Sequence, residues 1–221
     1  MNVVMLHRRI KDPFPGLSHW AGMVLAIAGL VVLLVLSAGR PWRIVGCAIY
    51  GASLILLYLA SALAHTIRGS EKLDGLLTRL DCMAIFLLIA GTYTPLCLVT
   101  FRGPWGWSML GAEWGMAALG IALVAFGRGD SKLPRTILYL TMAWIVAIVA
   151  VEPIWRLLPA PAIQWLFAGG VIYSVGAVIF VLDRPHLWPR RFMAHDLWHT
   201  LVLAGSACHY IVIARFVAAT A

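Results

Sequence analysis

Seven apolar stretches run along the chain, each close to the ~20 residues that cross a hydrocarbon core, with short polar segments between them. They cover about Trp20–Ala38, Ile44–Ile67, Leu80–Phe101, Ser108–Gly127, Thr136–Val151, Ile163–Leu182 and Phe192–Phe216. Lipid offers no partner to an open sheet edge, so the pattern predicts seven transmembrane helices. Pro13 and Pro15 argue against a long helix in the lead before Trp20, and Arg68 to Arg79 reads as a polar loop. Pro95 should kink the third helix or mark its end, and Glu152-Pro153 should end the fifth. Glu113 interrupts the fourth stretch, whose Gly111 and Gly115 form a GxxxG that allows close helix contact.

Composition agrees with the pattern. The 221 residues are 62% hydrophobic and 12% charged, where a soluble domain is nearer half apolar and a quarter charged. Crossing the bilayer uses most of this length, so the expectation is a single all-α seven-helix domain over residues 1–221 with no separate soluble module. The first stretch is too long for a signal peptide, and more follow it. Cys47, Cys82, Cys97 and Cys208 stand apart without a CxxC, and read as small buried residues.

The net charge of +8 does not predict nucleic-acid binding, because no basic run exceeds two residues and the charges lie between apolar segments. It predicts orientation. Twelve of the 17 Lys and Arg fall on the amino-terminal side, and Arg40, Arg43, Arg102, Arg156 and Arg215 on the other. By the positive-inside rule the amino terminus is cytoplasmic and the carboxyl terminus outside, in a plasma membrane.

That topology brings polar residues to one depth. His65 ends the second helix, Asp81 opens the third, and His195 and His199 open the seventh, all on the cytoplasmic side. His195 and His199 share a helix face, about 6 Å apart along the axis, and Ser61 lies one turn deeper than His65. Ionisable residues at a membrane helix edge are costly and usually have a task and a partner. Three imidazoles with an open fourth position suit a catalytic zinc, a nearby carboxylate can take a proton from water, and a serine can bond an oxyanion.

Plainer roles exist for single residues. His65 can cap its helix, Asp81 can serve as an anion near a helix amino terminus, and Ser61 can bond its own preceding turn. A competing metal reading is haem. His195 and His209 are fourteen apart, but Gly51 stands fourteen before His65, so a two-haem arrangement lacks its second pair, leaving one haem between His65 and a seventh-helix histidine. His209 lies about 15 Å deeper than His199 and should meet a polar group inside the bundle. His7 and His19 can only be outer partners of the site, and His186 should be solvated.

The Ser61-Ala62-Leu63-Ala64-His65 segment, the stretch from Asp81 to Gly91-Thr92-Tyr93-Thr94-Pro95, and His195-Asp196-Leu197-Trp198-His199 through His209 resemble the bacterial hemolysin III proteins. These belong with the progestin and adipoQ receptors, which include the adiponectin receptors, in a wider superfamily with the alkaline ceramidases. The resemblance implies a seven-helix bundle with zinc on His65, His195 and His199 near the cytoplasmic face, Asp81 at the zinc water and Ser61 beside it. Some relatives hydrolyse ceramide amides. Cys82, where many bacterial members have histidine, departs from the pattern. The lack of a long cytosolic lead argues against receptor architecture. The expected function is a zinc-dependent hydrolase of a lipid amide or ester, with membrane lipid as substrate. The rivals are a non-enzymatic membrane-state protein with structural zinc, and a pore.

Overall fold

The computed structural model of the chain describes residues 10–127, 131–189 and 191–219, which leaves Arg8, Arg9, His7, Arg128 and Arg190 outside the described residues. Among the described residues, seven helices are long and apolar enough to cross a membrane. They are α1 (Pro13–Leu36), α2 (Pro41–Thr66), α3 (Glu71–Pro95), α4 (Pro104–Ala125), α5 (Lys132–Val149), α6 (Ala160–Leu182) and α7 (Ala194–Ile213). Single π-helical turns extend α3 through Leu96–Thr100 and α7 through Ala214–Ala218. The predicted seven-helix membrane bundle is therefore the fold.

Most helices begin earlier than hydrophobicity alone predicts, for an identifiable reason. Pro13, Pro41 and Pro104 each occupy the opening of a helix, where a missing N–H costs nothing and a fixed φ suits the first turn. The expectation that Pro13 and Pro15 exclude a helix in the lead is thus overturned: α1 starts at Pro13. The polar loop expected between Arg68 and Arg79 is mostly the first two turns of α3. Ser70 accepts a hydrogen bond from Leu73 N, and Glu71 and Asp74 favour the helix amino terminus by charge. Pro95 does close the α-helical part of α3. The fifth span breaks at Ala150, just before Glu152-Pro153, which open a short helix, Val151–Leu157, instead of ending α5.

Helices adjacent in sequence pack as neighbours, and α1 lies against α7, closing the ring. Leu33, Tyr50, Leu54, Tyr58 and Ile213 fill the interior between α1, α2 and α7. Phe86, Val124 and Met142 join α3, α4 and α5. Leu96, Phe101, Val146 and Val212 form a third cluster at the end away from the histidines. Gly46 lets α2 approach α3 closely, since a Cβ there would lie 2.8 Å from Pro95 Cα. Gly111 and Gly115 do no such work. Among the described residues a Cβ at either would meet nothing within 4 Å, so the GxxxG makes no close helix contact with them. Val24, Leu25, Phe126 and Trp155 point outward, as lipid-facing side chains should. All four cysteines are buried, as expected.

Candidate metal centre

His65 lies in the last turn of α2, and its position is fixed from two sides. The Asp12 backbone N–H donates to the His65 carbonyl at 2.8 Å, latching the start of α1 to the end of α2. The Asp12 carboxylate then meets His65 Nδ1 at 2.9 Å. This hydrogen bond, opposed in part by burial, holds the Asp12 carboxyl below its ordinary pKa. With Nδ1 engaged, Nε2 is the free ligand atom, and it lies 3.7 Å from Asp81 Oδ2.

The other two imidazoles come from the first turns of α7. Asp196 Oδ2 accepts a hydrogen bond from Met193 N at 2.7 Å, which sets the helix start. His195 and His199 then face inward one turn apart, with their Nε2 atoms 3.2 Å from each other. His199 Nδ1 is held by His19 Nε2 of α1 at 3.0 Å, and the His19 ring rests edge-on against Tyr58. Centroids of the three rings lie 4.6 to 4.9 Å apart. One ligand atom from each of His65, His195 and His199 falls within 4.8 Å of the others, so the group could hold a metal ion.

Three imidazoles suit a divalent metal ion. Two nitrogens bound at about 2.05 Å to a tetrahedral ion stand about 3.3 Å apart, close to the 3.2 Å between the His195 and His199 Nε2 atoms, and the whole group lies within 4.8 Å. Two of the three rings also have Nδ1 occupied by a hydrogen-bonding neighbour, which orients a ligating histidine and fixes which nitrogen it offers.

Asp81 and Ser61 lie beside the three histidines, in positions that do not match the plainer roles. Asp81 stands nearly three turns inside α3, beyond the reach of the helix amino terminus. Ser61 Oγ is buried without a well-formed hydrogen bond, to its preceding turn or elsewhere, and lies against the Asp81 carboxyl. His65 bonds Asp12 by its ring and does not cap α2. His19 is an outer partner, as expected, and His186 is exposed. His209 lies apart, with Nε2 on the Leu166 carbonyl at 3.3 Å. Asp12 is the residue that sequence reasoning missed. Its signal was its place just before Pro13, hidden because no helix was expected there.

Ser61, His65, Asp81, His195 and His199 line one end of a cavity of about 900 Å³. The cavity continues between α3, α5, α6 and α7 past Ile85, Ile89, Leu140 and Leu166 toward Phe101 and Ile154. Its wall is mainly apolar, and Lys132, Arg135 and Asp183 stand near the histidine end.

Residues 7–210, which include every member of this group, match the family described as Haemolysin-III related. The chain belongs to that family. Hemolysin-3 of Bacillus cereus is 39% identical over 207 residues, covering 93% of this chain and 91% of that protein. The Hemolysin-3 homolog of Bacillus subtilis (strain 168) is 37% identical over 199 residues, covering 89% and 90%. The similarity reaches the human Monocyte to macrophage differentiation factor, 29% identical over 203 residues, covering 90% of this chain and 81% of that one. A multi-pass membrane protein of the Haemolysin-III related family thus carries a three-histidine group at one end of an apolar cavity.

Proposed function

We propose that this protein is a zinc-dependent membrane hydrolase that cleaves an amide or ester of a membrane lipid. The observation that carries the proposal is that the three histidines, Asp81 and Ser61 open onto a long apolar cavity. Reactive polar groups at one end and an acyl-sized apolar space beyond are what a lipid carbonyl with its chain requires.

His65, His195 and His199 would hold the zinc. The ion would supply Lewis acidity and lower the pKa of water at the site. Asp81 accepts the proton of the attacking water and passes it to the leaving nitrogen or oxygen. The Ser61 hydroxyl, which has no well-formed protein bond to give up, donates to the oxyanion that develops on the carbonyl. Asp12 and His19 keep two of the three rings aimed. The apolar wall orders the acyl chain and keeps bulk water from the carbonyl.

The charge asymmetry supports a site near the cytoplasmic face of the plasma membrane, with the amino terminus inside. The Bacillus relative's name points to lysis. A water-filled pore needs a polar stripe along several helices, whereas the charged and metal-ligating groups here gather at one end of a mainly apolar space, which supports hydrolysis over conduction.

The test is metal content by elemental mass spectrometry on gently purified protein, followed by turnover of ceramides and other acyl amides and esters in mixed micelles. About one zinc per chain with release of fatty acid, abolished by Asp81→Asn, supports the proposal. Zinc without turnover of any lipid amide or ester would make the metal structural, and protein free of zinc after chelator-free handling would end the hydrolase mechanism.

A further inference from the structure

The cavity is not uniformly apolar along its length. Ten residues beyond His199 on the same helix, His209 also lines it. By helical rise the two imidazoles are about 15 Å apart along the axis, so His209 sits near the middle of the membrane. An ionisable side chain at that depth is costly and calls for a reason.

The fold makes specific room for this ring. Gly169 of α6 faces it, and a Cβ there would come within 2.5 Å of the imidazole. The Leu166 carbonyl receives Nε2 at 3.3 Å, and the Tyr173 ring lies beside it at 5.4 Å between centroids. A carbonyl can only accept, so Nε2 carries the hydrogen, and Nδ1 of the neutral ring is an acceptor. Among the described residues nothing donates to Nδ1.

The other polar groups along this part of the wall are already engaged. Thr92 Oγ1 donates to the Leu88 carbonyl and Tyr93 Oη to the Ala143 carbonyl. Trp144 Nε1 donates to Ser174 Oγ, which in turn donates to the Gly170 carbonyl. Tyr173 Oη and Ser206 Oγ bond each other. Among the described residues, His209 Nδ1 is an acceptor at this depth without a protein donor.

We propose that His209 is a specificity-determining residue that accepts a hydrogen bond from a hydroxyl carried part-way along the substrate's acyl chain. The inference rests on the reading of the cavity as an acyl site, and it narrows the substrate class to lipids with a mid-chain hydroxyl. An unsubstituted chain enters the same space and leaves the nitrogen unpaired, which costs affinity without blocking binding.

The experiment compares octadecanoate with a mid-chain hydroxyoctadecanoate, each displacing a fluorescent fatty acid from the purified full-length protein. The wild type should hold the hydroxylated chain roughly tenfold tighter, the effect of one good hydrogen bond. His209→Phe should erase that preference without lowering octadecanoate affinity, since the unpaired nitrogen is gone, whereas a purely structural role would lower both together. Equal affinities in the wild type overturn the proposal without recourse to any variant, as does a parallel loss of both in His209→Phe. Failure of either chain to bind overturns it together with the acyl-site reading. A clear preference in a protein that hydrolyses nothing would leave the proposal standing and remove only the hydrolase.

Discussion

Two sets of buried ionisable groups in this bundle have opposite surroundings. At one end of α2 and α7, His65, His195 and His199 converge, and Asp12 and His19 occupy two of their outward nitrogens. In the middle of α4, Glu113 is fully buried and neither carboxyl oxygen has a hydrogen-bond partner among the described residues. Nearby donors are spent elsewhere: Trp114 Nε1 bonds Thr94 Oγ1, and Tyr93 Oη bonds the Ala143 carbonyl. Desolvation acts on both regions alike. In the first it is met by a network whose free nitrogens point to one centre, and in the second by no hydrogen bond among the described residues. A costly buried group within a convergent network marks a site, and a solitary one marks a cost to stability.

That contrast can be tested from the strongest expected effect downward. His199→Ala should reduce zinc from about one per chain to near none by elemental analysis, because two imidazoles alone make a poor zinc site. Retained zinc in this variant would place the metal elsewhere. Asp81→Asn should keep the zinc and lower kcat for lipid hydrolysis by about 10²- to 10⁴-fold, as loss of a general base does. Loss of zinc in that variant would instead make Asp81 a ligand. Asp12→Asn should weaken zinc binding by about 10- to 100-fold, read by competition with a chromophoric chelator, because Asp12 orients His65 from behind. An unchanged affinity would reduce that hydrogen bond to a helix latch.

The smallest effect belongs to the other region. Glu113→Leu should raise stability in detergent by about 1–3 kcal/mol, read as a higher midpoint of thermal unfolding, with zinc content unchanged. A fall in stability would mean that Glu113 has a partner in the membrane, and the contrast would fail.

Much of the site was legible because transmembrane helices are nearly one-dimensional objects. Once seven spans and their alternation are read, depth follows from position, and Ser61, His65, Asp81, His195 and His199 must fall near one level. Helix starts were less legible. Hydrophobicity marks where lipid begins, whereas prolines and caps mark where the helix begins, so α1 and α3 extend into segments that read as polar lead and loop. Asp12 stayed hidden for that reason. Gly111 and Gly115 misled in the other direction, because a motif for close contact is realised only if a neighbouring helix comes to that face.

The sequence by itself determined the number of spans, the side of the bundle on which charge collects, and the set of residues held at one depth. Local rules suffice for these, since each helix satisfies its own backbone in lipid and each span is set by its own apolar length. Only the tertiary structure decided which nitrogen each histidine offers, that Ser61 lies against the Asp81 carboxyl, and that the group opens onto a cavity running down the bundle. Those properties depend on rotation and approach of helices far apart in the chain, as when His199 meets His19 and His65 meets Asp12. No local pattern encodes the angle at which two helices pack, because it emerges from how all their side chains interlock at once.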